Sequence, residues 1–75
     1  MNRLPTLKPN EVVRILERAG FYIDRTTGSH YIRRHPDGRG PIPVPFHRGP
    51  DVKRAVLRSI IRESALTGDE FLSLR

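Results

Sequence analysis

The chain has 75 residues, 36% of them hydrophobic, no cysteine and a formal net charge of +6 with a pI of about 11.1. A length near the lower limit for a single core makes one domain with little room for a deep pocket, because a domain of about 60 residues buries only about 60% of its unfolded surface. The missing cysteine excludes disulfides, thiolate chemistry and cysteine-bound zinc, and the charge favours polyanions, nucleic acid first.

After an apolar lead containing Leu4 and Leu7, Pro9 suits the first position of a helix, since its missing N–H is one the helix could not use. Lys8 would be a poor cap. Val12, Val13, Ile15, Leu16 and Ala19 cover one side of this helix and Asn10, Glu11, Arg14, Glu17 and Arg18 the other, with Gly20 as a left-handed terminator. Residues 21–26 then alternate as a strand with Phe21 and Ile23 inward. Thr27-Gly28 is the expected turn, and a second strand over 29–35 places His30, Ile32 and Arg34 on one face and Ser29, Tyr31 and Arg33 on the other.

Pro36-Asp37-Gly38 turns the chain again. In the stretch Pro41-Ile42-Pro43-Val44-Pro45-Phe46 every proline has the same parity, so all can face outward from an edge strand while Ile42, Val44 and Phe46 pair inward. The same prolines block sheet-to-sheet aggregation. His47-Arg48-Gly49-Pro50 reads as a loop, and Asp51 as the N-cap of a second helix ending near Ser64. Val52, Val56, Leu57, Ile60 and Ile61 form its apolar face, beside a ridge of Arg54, Arg58 and Arg62 at steps of four. Thr67 and Glu70 fit a capping box for a short terminal helix carrying Phe71, Leu72 and Leu74. This order implies an α+β fold: a three-stranded antiparallel meander with helices on one face, in the sequence α-β-β-β-α plus a short extra helix. One domain spans residues 1–75.

Twelve of the fourteen cations are arginine, which favours planar bidentate contacts to phosphate. Arg33, Arg34, Lys53, Arg54 and Arg58 are the candidate phosphate contacts, although Arg33 and Arg34 cannot share a face. RNA carries its own nucleophile, the 2′-hydroxyl, so its cleavage needs no metal where a base removes that proton and cations steady the phosphorus centre. A neutral histidine is the natural base near pH 7. His30, at the turn Gly28-Ser29 among Arg25, Arg33 and Arg34, is the candidate; its duller role is a hydrogen-bonded structural histidine beside the core. His35 and His47 lie at strand ends and suit loop or supporting roles, and the three histidines follow no metal-ligand spacing. Tyr31 could stack on a base or pack on the sheet.

Gly28-Ser29-His30 at the second strand, then His35-Pro36-Asp37-Gly38-Arg39, Val44-Pro45-Phe46-His47 and Leu57-Arg58-Ser59-Ile60-Ile61, together resemble the HicA family of bacterial mRNA-cleaving toxins. The likeness runs over residues 9–74. It departs at Lys8-Pro9, where the family usually has a serine-glycine pair, and in the proline-laden third strand. The resemblance implies a double-stranded-RNA-binding-domain-like fold, endoribonuclease activity on mRNA with His30 as the catalytic histidine, no cofactor, and neutralisation by an acidic HicB-type antitoxin. A cytoplasmic protein is expected, since no secretory signal stands at the start and no apolar run approaches the roughly 20 residues that span a bilayer. Two other functions fit the same residues: a non-catalytic RNA-binding module, and a protein-interaction domain whose basic face holds an acidic partner.

Overall fold

The computed structural model describes residues 4–45 and 50–75. Its elements are helix α1 (Pro9–Arg18), strands β1 (Tyr22–Thr27), β2 (His30–Arg34) and β3 (Ile42–Pro45), and helices α2 (Arg54–Ser64) and α3 (Gly68–Ser73). The strands form one antiparallel sheet in the order β1-β2-β3, so the expected α+β meander with its extra helix is the observed fold. The inward pairing expected of Phe46 and the loop expected at His47-Arg48-Gly49 lie outside the described residues.

Proline chemistry sets the register of the outer strand. Val44 lies opposite Tyr31 and Ile42 opposite Arg33, while Pro45 faces His30 and Pro43 faces Ile32. A residue with no N–H cannot join a pair that exchanges two hydrogen bonds, so the prolines occupy the alternate pairs and turn their nitrogens to the open edge. Ile42 and Val44, fully buried, point into the helix-packed core with Leu7, Val12, Ile15, Leu16, Phe21, Val52, Leu57, Ile60, Ile61 and Phe71.

Directly opposed residues share a face, so the core-facing residues of β2 are Tyr31 and Arg33, whereas His30, Ile32 and Arg34 have the parity of the open face. Ile32 is itself buried, between Arg25 and Pro43, but stands outside the main core cluster. Arg33 is thereby placed where the alternation of a strand calls for an apolar side chain.

Two further expectations are corrected. Phe21 is buried, but Ile23 is 49% exposed: opposite Arg33 it keeps the parity of the helix-packed face, yet it stands on β1, an outer strand of the sheet, and the bulge at Asp24 shifts the register only after it. Asp51 does not cap α2. The Val52 N–H donates to the Leu7 carbonyl at 2.8 Å and the Val52 side chain is buried, which holds the chain extended through Lys53, the actual N-cap. Asp51 instead pairs with Lys8 Nζ at 3.1 Å.

The other boundaries follow local chemistry. Pro9 begins α1 at its first turn, and with no side-chain cap from Lys8, the Glu11 carboxylate accepts the Lys8 N–H at 2.9 Å. Thr67 and Glu70 form the expected reciprocal cap of α3, at 3.0 and 2.8 Å. The β2–β3 connection is tied to α2 by Arg39, whose Nε binds both Asp37 oxygens at 3.2 and 2.9 Å and whose Nη1 donates to the Ser64 carbonyl at 2.7 Å. Its guanidinium also lies 5.3 Å from the Phe21 ring centre. In the same connection Gly40, at φ +101°, holds a position where a Cβ would come within 2.8 Å of the Arg33 carbonyl oxygen, so no side chain fits.

The Arg39 strut gives a pH dependence. The backbone N–H of Arg39, then its guanidinium, holds the Asp37 carboxyl below its ordinary value of 3.8, and the Lys8 N–H, helped by Arg75 and Arg14, holds Glu11 below 4.5. A carboxyl depressed on folding stabilises the fold above its unfolded pKa and loses that contribution as pH falls through the folded value. Unfolding midpoints in urea are therefore expected to fall as pH drops below about 4. Asp37→Asn should flatten part of that slope; an unchanged slope in the variant would remove Asp37 from the strut.

Candidate active-site cleft

The hairpin that positions His30 closes through two residues, Gly28 and Ser29, since Thr27 pairs with His30. The turn thus sits one residue later than the Thr27-Gly28 expected from the sequence. Gly28, at φ +52°, takes the left-handed conformation that two-residue hairpins with glycine first require. His30 is consequently the first residue of the central strand, half-buried, with an exposed turn on one side and Tyr31 on the other.

His30 also borders a cleft of about 350 Å³ against α2, lined by Ile42 and Pro43 from β3 and by Ala55, Val56, Ser59, Ile60 and Glu63. It stands where the open face of the sheet meets this cleft. At about 100° per residue, the α2 surface divides into three stripes: Leu57, Ile60, Ile61 and Ser64 on the core, Ala55, Ser59 and Glu63 along the cleft, and Arg54, Arg58 and Arg62 on solvent beside it. The ridge expected from the sequence therefore flanks the cleft that His30 borders.

The candidate phosphate contacts separate into two groups. Arg54, Arg58 and Lys53 are exposed at the start and middle of α2. Arg54 Nη1 is anchored on the Leu4 carbonyl at 2.8 Å, whereas Arg58 has no hydrogen bond or ion pair among the described residues. Arg34 shares the parity of His30 and is half-exposed, held by Asp24 across the strand pair at 3.3 Å.

Arg33 is not available to a phosphate on the surface. Its side chain is 2% exposed, with Nη1 3.7 Å from Glu17 and its carbon 5.9 Å from the Tyr31 ring centre, and neither Nε nor Nη1 has a hydrogen-bond partner. Burial lowers its pKa, with Glu17 opposing. Removing a buried cation whose counter-ion is solvent-exposed leaves no stranded charge behind, so an apolar residue of similar volume is expected to be better tolerated. Arg33→Met should raise stability by about 1 kcal/mol in urea unfolding, after the lost contact with Tyr31 is offset. A loss of more than about 1 kcal/mol would show that the guanidinium supports the fold.

His35 is occupied structurally. Its Nε2 lies 3.1 Å from the Ala19 carbonyl, its Nδ1 receives the Asp37 N–H at 3.1 Å, and its ring meets Phe21 edge-on at 5.0 Å between centres. Nδ1 also lies 2.9 Å from Asp37 Oδ1, so both ring nitrogens are engaged within the fold, which suits a supporting role. His47 lies outside the described residues. Among the described residues no group of three or more His, Asp or Glu side chains could hold a metal, and no helix is long and apolar enough to cross a membrane.

Sequence reasoning missed Pro43, Ser59 and Glu63 as cleft residues. Ser59 and Glu63 are four apart on a helix, one step round from the arginine ridge, which was the available signal. It also missed Arg39, whose strut joins residues far apart in sequence and leaves no periodic trace.

No curated protein matches the chain significantly. The family model for the HicA toxin of bacterial toxin–antitoxin systems matches residues 9–66, from the first residue of α1 to just past the end of α2. The matched span contains the whole sheet, the cleft and the arginine ridge, and the chain belongs to the HicA family of bacterial toxins.

Proposed function

We propose that this toxin is a metal-independent endoribonuclease that cleaves mRNA, with His30 as the general base. The observation that carries the reading is the position of His30 at the mouth of a cleft flanked by Arg54 and Arg58. Imidazole takes the proton of a ribose 2′-hydroxyl, the 2′-oxygen attacks the adjacent phosphorus, and the 5′-oxygen leaves, taking a proton from water. The products are a 2′,3′-cyclic phosphate and a 5′-hydroxyl. Arg54, Arg58, Lys53 and Arg34 supply the cationic surroundings that hold the phosphate and favour the added charge at phosphorus. Gly28 and Ser29 set where His30 begins its strand. Arg33 is left out of the contact set because it is buried.

The partner implied by a toxin of this class is an antitoxin, and the +6 charge suits an acidic protein of the HicB type. The protein would act in the cytoplasm, where mRNA is found. Controlled expression in bacterial cells tests the reading: wild type should arrest growth and His30→Ala should not. Arrest by both proteins, at equal levels of folded product, would favour a non-catalytic RNA-binding module.

A further inference from the structure

The cleft has a composition that phosphate binding does not explain. Its walls are mainly the side chains of Ile42, Pro43, Ala55, Val56 and Ile60, and its polar groups besides His30 are Ser59 and Glu63. An apolar, open cavity of about 350 Å³ lies at the low end for ligand sites, which run about 300–1,000 Å³. A phosphate gains nothing from such walls and is repelled by a carboxylate. A nucleobase gains from both.

We infer that this cleft receives one unstacked guanine of single-stranded RNA, with Glu63 reading its Watson–Crick edge; the inference rests on the proposed action of the protein on RNA. Single-stranded RNA is recognised through splayed bases, stacked on flat or apolar surfaces and hydrogen-bonded at their edges. The Pro43 ring on the edge strand and Val56 on α2 supply such surfaces in the lining of the cleft. The α2 stripes fit the same ligand: the base enters beside Ser59 and Glu63 while its phosphates track along Arg54, Arg58 and Arg62 one step round the helix.

The carboxylate selects the base. An ionised glutamate only accepts hydrogen bonds, through two oxygens. Guanine alone presents two adjacent donors, N1–H and the N2 amine, to match them. Adenine and cytosine place one amine beside a ring nitrogen acceptor, and uracil flanks its single N–H with two carbonyls, so each sets a lone pair against the carboxylate. The Ser59 hydroxyl, which lies 3.5 Å from Arg62 Nη2 as an acceptor, keeps its own proton to donate to a base carbonyl.

Short single-stranded oligonucleotides with 2′-O-methyl riboses test this by fluorescence anisotropy, because they lack the nucleophile and report binding alone. A ligand with one guanine should bind the wild type about tenfold tighter than its adenine, cytosine or uracil counterparts, with inosine between them. Glu63→Gln, a substitution at an exposed position, should compress that preference to about twofold whatever it does to overall affinity. No base preference in the wild type, or an unchanged preference in Glu63→Gln, overturns the inference; the latter is also the outcome if Glu63 serves proton transfer. Failure of the nuclease reading would show in cleavage assays and leave these affinities untouched.

Discussion

Phe71→Ala is expected to cost about 3–5 kcal/mol of stability. Phe71 is the one fully buried residue of α3, a helix of only six residues that would be unstable in isolation and is held by its Thr67–Glu70 cap, by Phe71, and by the lesser packing of Leu72 and Leu74 on the core. A domain of this length has about 4–11 kcal/mol of stability at about 0.05–0.15 kcal/mol per residue, so one such cavity takes a large share. The family match ends at residue 66, before α3 begins, yet the core is not closed without it. Urea unfolding followed by circular dichroism measures the effect; a change below about 1 kcal/mol would mean that α3 is an appendage rather than part of the core.

His30→Ala is expected to slow RNA cleavage by about 10²–10⁴, the range a positioned general base contributes. The side chain is half-buried at a strand end and has no hydrogen bond or ion pair among the described residues, so its loss should leave the fold intact. RNA affinity should also survive, because the cations proposed to hold phosphate stand on α2 and at Arg34 rather than at position 30. A variant that lost binding and cleavage together would make His30 a contact residue instead of a base.

The order of elements could be read from the sequence because each carries its own period: 3.6 residues in the helices, two in the strands, and glycine or proline at most joints. Proline parity went further and fixed β3 as an edge strand with its pairing direction. What escaped were features that depend on partners. Alternation along β2 separates His30, Ile32 and Arg34 from Tyr31 and Arg33, but which set faces the core is decided by Ile42 and Val44 across the sheet, which send Arg33 inward and leave His30 on the open parity. Ile23 has the inward parity, and its exposure follows from the place of β1 at the edge of the sheet, which the strand by itself does not show. Asp51 had the chemistry of a cap, yet a hydrogen bond from Val52 to Leu7, some 45 residues earlier, delays the helix by two positions. His30 and the arginine ridge were legible as residues, and the cleft that places them together was not, because it forms only when β3 and α2 meet.

The central claim is most directly tested by incubating purified, folded wild-type protein and His30→Ala with single-stranded RNA in the presence of EDTA and analysing the product ends. Cleavage by the wild type to 2′,3′-cyclic phosphate and 5′-hydroxyl termini, slowed at least about a hundredfold in the variant, is the expected result. Equal rates in the two proteins, or no cleavage by a wild type that binds the RNA, would contradict it.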